Sequence, residues 1–283
     1  MRRHANYFAY RIAQGASLRL PAATALRLAD RLSDRWWRWA PKAQRAVQHN
    51  LSIIREDSPD QQEPSAREVF RNFGRYVVEF FTIHREPAPA VAVEGLEYFQ
   101  QAQRAQRGVI IATGHLGNWE VGAVVLRRMG FSIAVVALPH EDPRMDQLFN
   151  QQRQRCGIAV IPVGVHAARQ SLECLRAGQL IGVLGDRTFD RRGMMMPLCG
   201  GFTMLPQGPA TLSVRSRAPI VPTFLLREAP WVFRLCFEPP IWPQVEDGAM
   251  SAIQAVTRQY AAVLERYLKR VPEQWLMFQP VLT

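Results

Sequence analysis

The sequence predicts an α/β fold: a central, largely parallel sheet with helices on both faces, and an N-terminal helical portion packed beside it. Three observations lead there. From Val91 onward, short apolar runs alternate with helix-length stretches of mixed polarity. Those runs are apolar almost throughout, as in parallel strands buried on both faces, and lack the in–out alternation of a half-exposed strand. Before residue 85, by contrast, apolar residues recur at three- and four-residue spacing, a helical period.

In 24–39, Leu28, Leu32, Trp36 and Trp39 lie at helical spacing beside Arg27, Arg31, Arg35 and Arg38. Two readings of this stripe stand level. It is a helix docked on the protein's own core, or a helix lying on a membrane surface, for which Trp37, Tyr7, Phe8 and Tyr10 add interfacial aromatics. The segment 56–64, EDSPDQQEP, reads as a polar loop. A helix is expected at 65–83, with Val69, Phe70, Phe73, Val77 and Phe80 as its apolar stripe. REPAPA, 85–90, marks a short boundary. Strands are expected at 108–113, 132–138, 158–163, 179–185 and 219–226, with helices near 119–129, 143–155, 166–177 and 208–216. WVFRLCFEPP, 231–240, reads as one more strand, antiparallel to the others, and 249–270 as a closing helix.

The chain has 283 residues and a formal net charge of +11. That length buries a sizeable core without disulfides or metals. The four cysteines, Cys156, Cys174, Cys199 and Cys236, form no C-x-x-C pair, which argues against a disulfide scaffold or a zinc site and for a reducing compartment. Ten of the basic residues and only two acids, Asp30 and Asp34, fall in the first fifty positions. Such a basic end suits an anionic partner: anionic lipid, an acidic protein or nucleic acid. No apolar run follows the N-terminal charges, so neither a signal peptide nor a spanning helix is expected. The longest uncharged stretch, 193–214, holds four glycines and three prolines and cannot span as a regular helix.

The usual nucleotide, P-loop, serine-hydrolase and zincin motifs are missing. What stands out is ATGHLGNWE, 112–120. An apolar strand ends at Thr113, Gly114 and Gly117 give turn freedom, and Asn118 is a good N-cap for a helix beginning at Trp119. His115 therefore lies at the carboxyl edge of a strand, where ligands of α/β sheets bind. Glu120 is in the first helical turn. Within one helix the five-residue spacing would set it and His115 on different faces, with His115 capping the turn and Glu120 at the surface, whereas a loop-to-helix turn can fold the two together. A carboxylate on one imidazole nitrogen fixes the tautomer and raises basicity at the other, giving a general base. The helix amino end offers N–H groups to an oxyanion.

GVIIATGHLGNWE, with EGLEYFQQAQRAQRG before it, resembles the bacterial lipid A biosynthesis (lauroyl/myristoyl) acyltransferase family and the related phosphatidylinositol mannoside acyltransferases. The resemblance continues through HNL at 49–51, FRNFGRYVVE at 70–79, VVALPHEDPRMDQLFNQQRQRCG, LIGVLGDRTFDRRG and PLCGGFTMLPQGPATLSVRSRAPIVP. The ending VPEQWLMFQP is similar to that of the mannoside enzymes; the aromatic–His–Arg ending of the lipid A enzymes is missing. The resemblance implies a glycerolipid-acyltransferase-like fold. It implies a helical, membrane-associating portion at 1–85 and an acyltransferase domain at 86–283, folded as one unit.

It implies O-acyl transfer from an acyl carrier protein or acyl-CoA thioester to a hydroxyl of a membrane glycolipid of lipid A precursor type, with the phosphatidylinositol mannoside type as alternative. His115 is the implied base and Glu120 its orienting partner. Asn118, Arg153, Asp186 and Arg187 are the implied substrate-side residues; Asn118 shapes the turn, and Arg153 meets a phosphate or the polarised carbonyl. No metal or cofactor is implied. Met194, Met195, Met196 and Met204 are expected either to line the acyl channel or to pack as an adaptable core. The expected location is the cytoplasmic face of the bacterial inner membrane, peripheral or monotopic, on an anionic surface. Two other classes fit less well: a lipid ester or thioester hydrolase using the same residues, and a non-catalytic nucleic-acid-binding protein. The arginines of the latter's basic end alternate with apolar positions, so no nucleic-acid partner is expected.

Overall fold

The computed structural model describes residues 2–55, 59–85, 88–188 and 193–283. Four helices come first: α1 (Arg2–Arg19), α2 (Ala22–Trp39), α3 (Pro41–Ile54) and α4 (Pro59–Thr82). Prolines punctuate them. Leu20 and Ala40 precede Pro21 and Pro41, and the ring of a following proline disfavours helical backbone at each; Ala40 sits at φ −119°, ψ 59°. Pro59 opens α4, where a missing N–H is harmless. The helix thus takes in most of the stretch expected to be a polar loop.

Helix α2 docks on α4 through Ala25, Ala29, Ser33 and Trp37, which are buried. Gly74 lets the two backbones close up, since a Cβ there would overlap the Ser33 hydroxyl and reach the Ala29 carbonyl at 3.1 Å. Both acids of α2 are engaged: Asp34 accepts from Arg67 (2.7 Å) and Arg71 (2.8 Å), and Asp30 from Arg75 (2.8 Å). Of the Leu28–Leu32–Trp36–Trp39 stripe only Trp36 joins this docking face, its ring centre 4.5 Å from Phe70 and 5.5 Å from Phe73 of α4; Leu28, Leu32 and Trp39 are exposed. Leu32 is 57% and Trp39 75% exposed, and Arg27, Arg31, Arg35 and Arg38 are exposed around them.

Beyond α4 come β1 (Ala90–Glu94), α5 (Leu96–Gln103), β2 (Val109–Thr113), α6 (Trp119–Arg128), β3 (Ile133–Ala137), α7 (Pro143–Arg155), β4 (Ala159–Pro162), α8 (Ala167–Arg176) and β5 (Leu180–Leu184). The hairpin β6 (Gly193–Leu198) and β7 (Gly201–Pro206) follows, then α9 (Gly208–Ser216), β8 (Ile220–Ala229), β9 (Val232–Phe237) and α10 (Ala249–Arg270). Seven strands form one sheet in the order β1-β9-β8-β2-β5-β3-β4. Strands β8, β2, β5, β3 and β4 run parallel, β9 pairs antiparallel with β8, and β1 pairs parallel with β9. Strand β1 and the β6–β7 hairpin were not among the expected strands.

Side chains of Val109, Ile111, Ile133 and Leu180 meet Val121 and Val125 of α6 on one face of the sheet. Those of Ile110, Ala134 and Ile181 meet α8, α9 and α10 on the other. A third core joins Phe70 and Phe80 of α4 to Phe149 of α7 and to Leu276, so it reaches across the boundary near residue 85.

Helix α4 also sends polar groups inward. Glu79, fully buried, accepts from Arg227 Nε and Nη2 at 2.6 Å each and from Asn118 Nδ2 at 2.7 Å. Arg227 Nη1 donates to Asn72 at 2.7 Å, and Asn72 Nδ2 to the Glu273 carbonyl at 2.9 Å. Removing one member of a buried pair strands the other charge, and that loss outweighs what the intact pair contributes. Glu79→Ala is expected to destabilise the fold by about 3–5 kcal/mol, measured by urea unfolding; a loss within about 0.5 kcal/mol, typical of a surface site, would contradict this.

Candidate active site

Strands β2 and β5 are sheet neighbours in parallel register, with Thr113 opposite Leu184. His115 and Asp186 each lie two residues past that pair, so the two chains deliver them side by side at the carboxyl edge of the sheet. Asp186 has no exposure and receives three N–H groups: the His115 backbone at 2.7 Å, the His115 ring at Nδ1, 2.8 Å, and the Trp275 indole at 2.9 Å. Glycines make this approach feasible. A Cβ on Gly114 would press on the Asp186 carboxyl at 3.2 Å, and one on Gly185 would enter the Tyr260 ring at 2.7 Å. Gly117 has φ +66°, and a Cβ there would overlap the Leu225 carbonyl oxygen.

The turn is held from outside as well. Gly117 N–H donates to Gln274 C=O (3.0 Å), Leu276 N–H to His115 C=O (2.7 Å) and Asn118 N–H to Leu225 C=O (3.0 Å). A segment around Trp275 therefore straps the His115 turn like a short antiparallel strand.

An ionised carboxylate only accepts hydrogen bonds, so Asp186 fixes the proton of His115 on Nδ1 and leaves the Nε2 lone pair for the cavity. Burial alone would raise the Asp186 carboxyl. The His115 ring, the Trp275 N–H and the His115 backbone N–H outweigh it and hold the group below its ordinary value. His115 itself is 14% exposed and stands edge-on to Trp119, ring centres 5.0 Å apart.

Glu120 does not contact His115. It lies in the first turn of α6 and pairs with Arg153 of α7, whose Nε lies 3.0 Å and Nη2 2.5 Å from the carboxylate. The residues are 5% and 11% exposed, so this is a buried ion pair. The carboxylate that orients the imidazole is Asp186, a correction to the role expected of Glu120. Arg153, in turn, is not a cation awaiting a phosphate, since Glu120 already takes its fork. Asn118 is fully buried; its Oδ1 accepts the Val121 N–H (3.2 Å) and its Nδ2 serves Glu79. It caps α6 and does not line the cavity, so the substrate-side placement is corrected too. Arg187 does line it. Burial lowers its guanidinium, and the neighbouring Asp186 opposes that shift. Asp190, Arg191 and Arg192 of the basic loop lie outside the described residues.

His115, Glu120, Arg153 and Arg187 face one cavity of about 790 Å³. On the α6 side its walls are apolar and narrow-residued: Gly182 of β5 and Val135 of β3 face Gly122, Ala123 and Leu126 of α6. The opposite side is closed by Ala167 and Ala168 of α8 and by Pro206–Leu212. None of Met194, Met195, Met196 and Met204 lines it. Met196 is buried against Leu205 and Ala261, and Met195 is 55% exposed. Trp275, Tyr76, Glu79 and Arg227 were not among the expected site residues. For Asp186 as the partner, a signal existed: VIIAT-G-H and LIGVL-G-D place His and Asp at the same offset after their strands.

A sequence profile described as bacterial lipid A biosynthesis acyltransferase matches residues 1–283. The chain belongs to that family. It is an acyltransferase, and its similarities divide between two branches. It is 27% identical over 219 residues to a phosphatidylinositol mannoside acyltransferase of Mycobacterium tuberculosis, covering 74% of this chain and 67% of that one. It is 25% identical over 232 residues to the lipid A biosynthesis palmitoleoyltransferase of Escherichia coli K12, covering 78% and 72%. Among solved structures, the 1-acyl-sn-glycerophosphate acyltransferase of Thermotoga maritima aligns with 86% of this chain at 14% identity and a TM-score of 0.39, too distant to bear on the site.

Asp186→Asn would present an amide N–H to Nδ1 and push the imidazole proton to Nε2. Turnover of this acyltransferase is then expected to fall about 10³–10⁴-fold, on the scale of the same change in Ser-His-Asp enzymes, with a cooperative unfolding transition retained. The acid limb of stability should flatten as well. A carboxyl held below its unfolded value stabilises the fold above that value, 3.8, and loses the contribution as pH falls through the lower folded value. The asparagine variant lacks that loss, and urea titrations at pH 3 and 6 compare the two.

Proposed function

We propose that the enzyme moves a fatty acyl chain from an acyl carrier protein or CoA thioester to a hydroxyl of a membrane glycolipid. The single observation that carries this is a buried Asp186–His115 pair opening on a large, mainly apolar cavity. His115 Nε2 removes the proton of the acceptor hydroxyl as its oxygen attacks the thioester carbonyl. Asp186 stabilises the imidazolium that forms. The oxyanion is assigned to the Trp119 and Glu120 N–H groups at the start of α6, since the Val121 N–H of the same turn is taken by Asn118. Collapse of the intermediate expels the thiolate, which takes the proton back from Nε2. The acyl chain is assigned to the apolar wall lined by Val135, Gly182, Gly122, Ala123 and Leu126.

For the acceptor, a lipid A precursor is the first assignment. A mannosylated phosphatidylinositol is the second, favoured by the WLMFQP ending and by the 27% identity to the mycobacterial enzyme. His115→Ala tests the chemistry. It is expected to lower kcat by about 10²–10⁴-fold in a variant that still shows native circular dichroism. Mass spectrometry should find acylated glycolipid only when acceptor is supplied; free fatty acid as the main product with acceptor present would indicate a hydrolase.

We further propose peripheral association with the cytoplasmic face of the inner membrane through α1 and α2. No helix among the described residues is long and apolar enough to cross a membrane. Phe8 and Ile12 of α1 and Leu28, Leu32 and Trp39 of α2 are exposed, with four arginines beside the last three. Apolar side chains inserted at the interface and arginines at the phosphates are two separable contributions. Leu32→Ser with Trp39→Ser is expected to reduce vesicle binding at high salt, where the charge contribution is screened. Wild-type protein should bind vesicles containing phosphatidylglycerol more tightly than phosphatidylcholine alone in flotation assays. Equal binding to both, or none, would refute the docking face.

A further inference from the structure

Tyr76 of α4 is 5% exposed, yet it lines the cavity. Its ring is fixed: it stacks on Trp119 (centres 4.5 Å, 29°) and lies parallel to Phe80 (6.3 Å, 5°). Trp119 in turn stands edge-on to His115. The tyrosine is thus one aromatic ring removed from the base. Its hydroxyl has no hydrogen-bond partner among the described residues, and its oxygen is not sealed from open space. A phenol buried to this degree ordinarily has a partner. Glu120 and Arg153 line the same cavity and act on its ionisation with opposite sign, after burial, the largest influence.

The chemistry of this wall is specific. Glu120 and Arg153 cancel in charge, and the guanidinium fork is spent on the carboxylate and on Asn150. A phosphate would have to draw Arg153 away and strand a buried carboxylate, a costly exchange. A neutral group with an O–H finds better terms. The phenol both donates and accepts, as a sugar hydroxyl does.

We propose that Tyr76, beside the Glu120–Arg153 pair, binds a hydroxyl of the acceptor headgroup next to the one that is acylated, so that this subsite selects a polyol or sugar. The proposal rests on the acyl-transfer reading above and adds a residue and a headgroup class to it.

Tyr76→Phe tests it, with palmitoyl-CoA as donor and octyl mannoside and its monodeoxy analogues as acceptors. The variant loses only an oxygen that no protein group uses, so its unfolding midpoint should be unchanged. The expected result is a KM for octyl mannoside raised roughly three- to tenfold, the worth of one neutral hydrogen bond. The KM for palmitoyl-CoA, read at saturating acceptor, should not move. With one monodeoxy mannoside, wild type and variant should become equal, because each lacks one half of the same contact. An unchanged acceptor KM, a loss on the donor side, or equal losses with every deoxy analogue would overturn the proposal. So would a wild type that hydrolyses palmitoyl-CoA through His115 but acylates neither octyl mannoside nor octyl glucosaminide, which leaves the dyad intact and removes only the headgroup assignment. A wild type that neither transfers nor hydrolyses with palmitoyl-CoA, nor with palmitoyl-acyl carrier protein, would instead sink the thioester-donor reading above.

Discussion

Asp186 is an ionised carboxylate with no solvent contact, and the site is organised around satisfying it. Taking such a group out of water costs several kcal/mol unless hydrogen bonds replace the hydration. Three N–H donors do so, and they come from two remote parts of the chain. The geometry that brings them together is strand pairing. Because β2 and β5 are parallel neighbours, equal steps beyond Thr113 and Leu184 arrive at the same place. The glycines at 114 and 185 then matter for what they lack, since any side chain there would hold the pair apart.

A second buried polar network stands behind the first. Glu79, Arg227, Asn118 and Asn72 tie α4 to the amino end of α6 and to β8, and Gln274 exchanges hydrogen bonds with the Arg227 backbone in both directions. The N-terminal helices are therefore more than an attachment to the sheet. Helix α4 supplies the floor of the His115 turn, while α2, docked through Ala25, Ala29, Ser33 and Trp37, leaves Leu28, Leu32, Trp39 and its arginines exposed. One element holds the His115 turn and its neighbour presents an amphipathic surface, and the two meet at the close contact at Gly74.

The α/β class, the five parallel strands and the position of His115 at a strand end were legible, because apolar runs and the Gly–His–x–x–Asn turn chemistry are local signals. What periodicity does not carry is strand order. Asp186 lies 71 residues from His115, and β5 enters beside β2 only after β3 and β4 have been laid down further out. Glu120, five residues away, looked like the natural partner, but the helix that Asn118 caps turns it toward Arg153. Strand β1 escaped notice because its five residues lie at the sheet edge and are mostly exposed, which removes the apolar signal. The β6–β7 hairpin was hidden by its glycines and prolines. Its turn uses Cys199 at φ +55° and Gly200 at φ +84°, and a cysteine gives no warning of left-handed backbone. In α2 the helical period was plain, while the direction of its docking face depended on Gly74, forty residues on in another helix.

The strap around Trp275 has a temporal meaning. Asp186 acquires its indole donor from a residue 89 positions later, made after every strand of the sheet. During synthesis His115 and Asp186 leave the ribosome well before Trp275 and Leu276, which close the turn. Until Trp275 has emerged, Asp186 can have at most two of its three donors, so the His115–Asp186 arrangement is complete only once nearly the whole chain has left the ribosome.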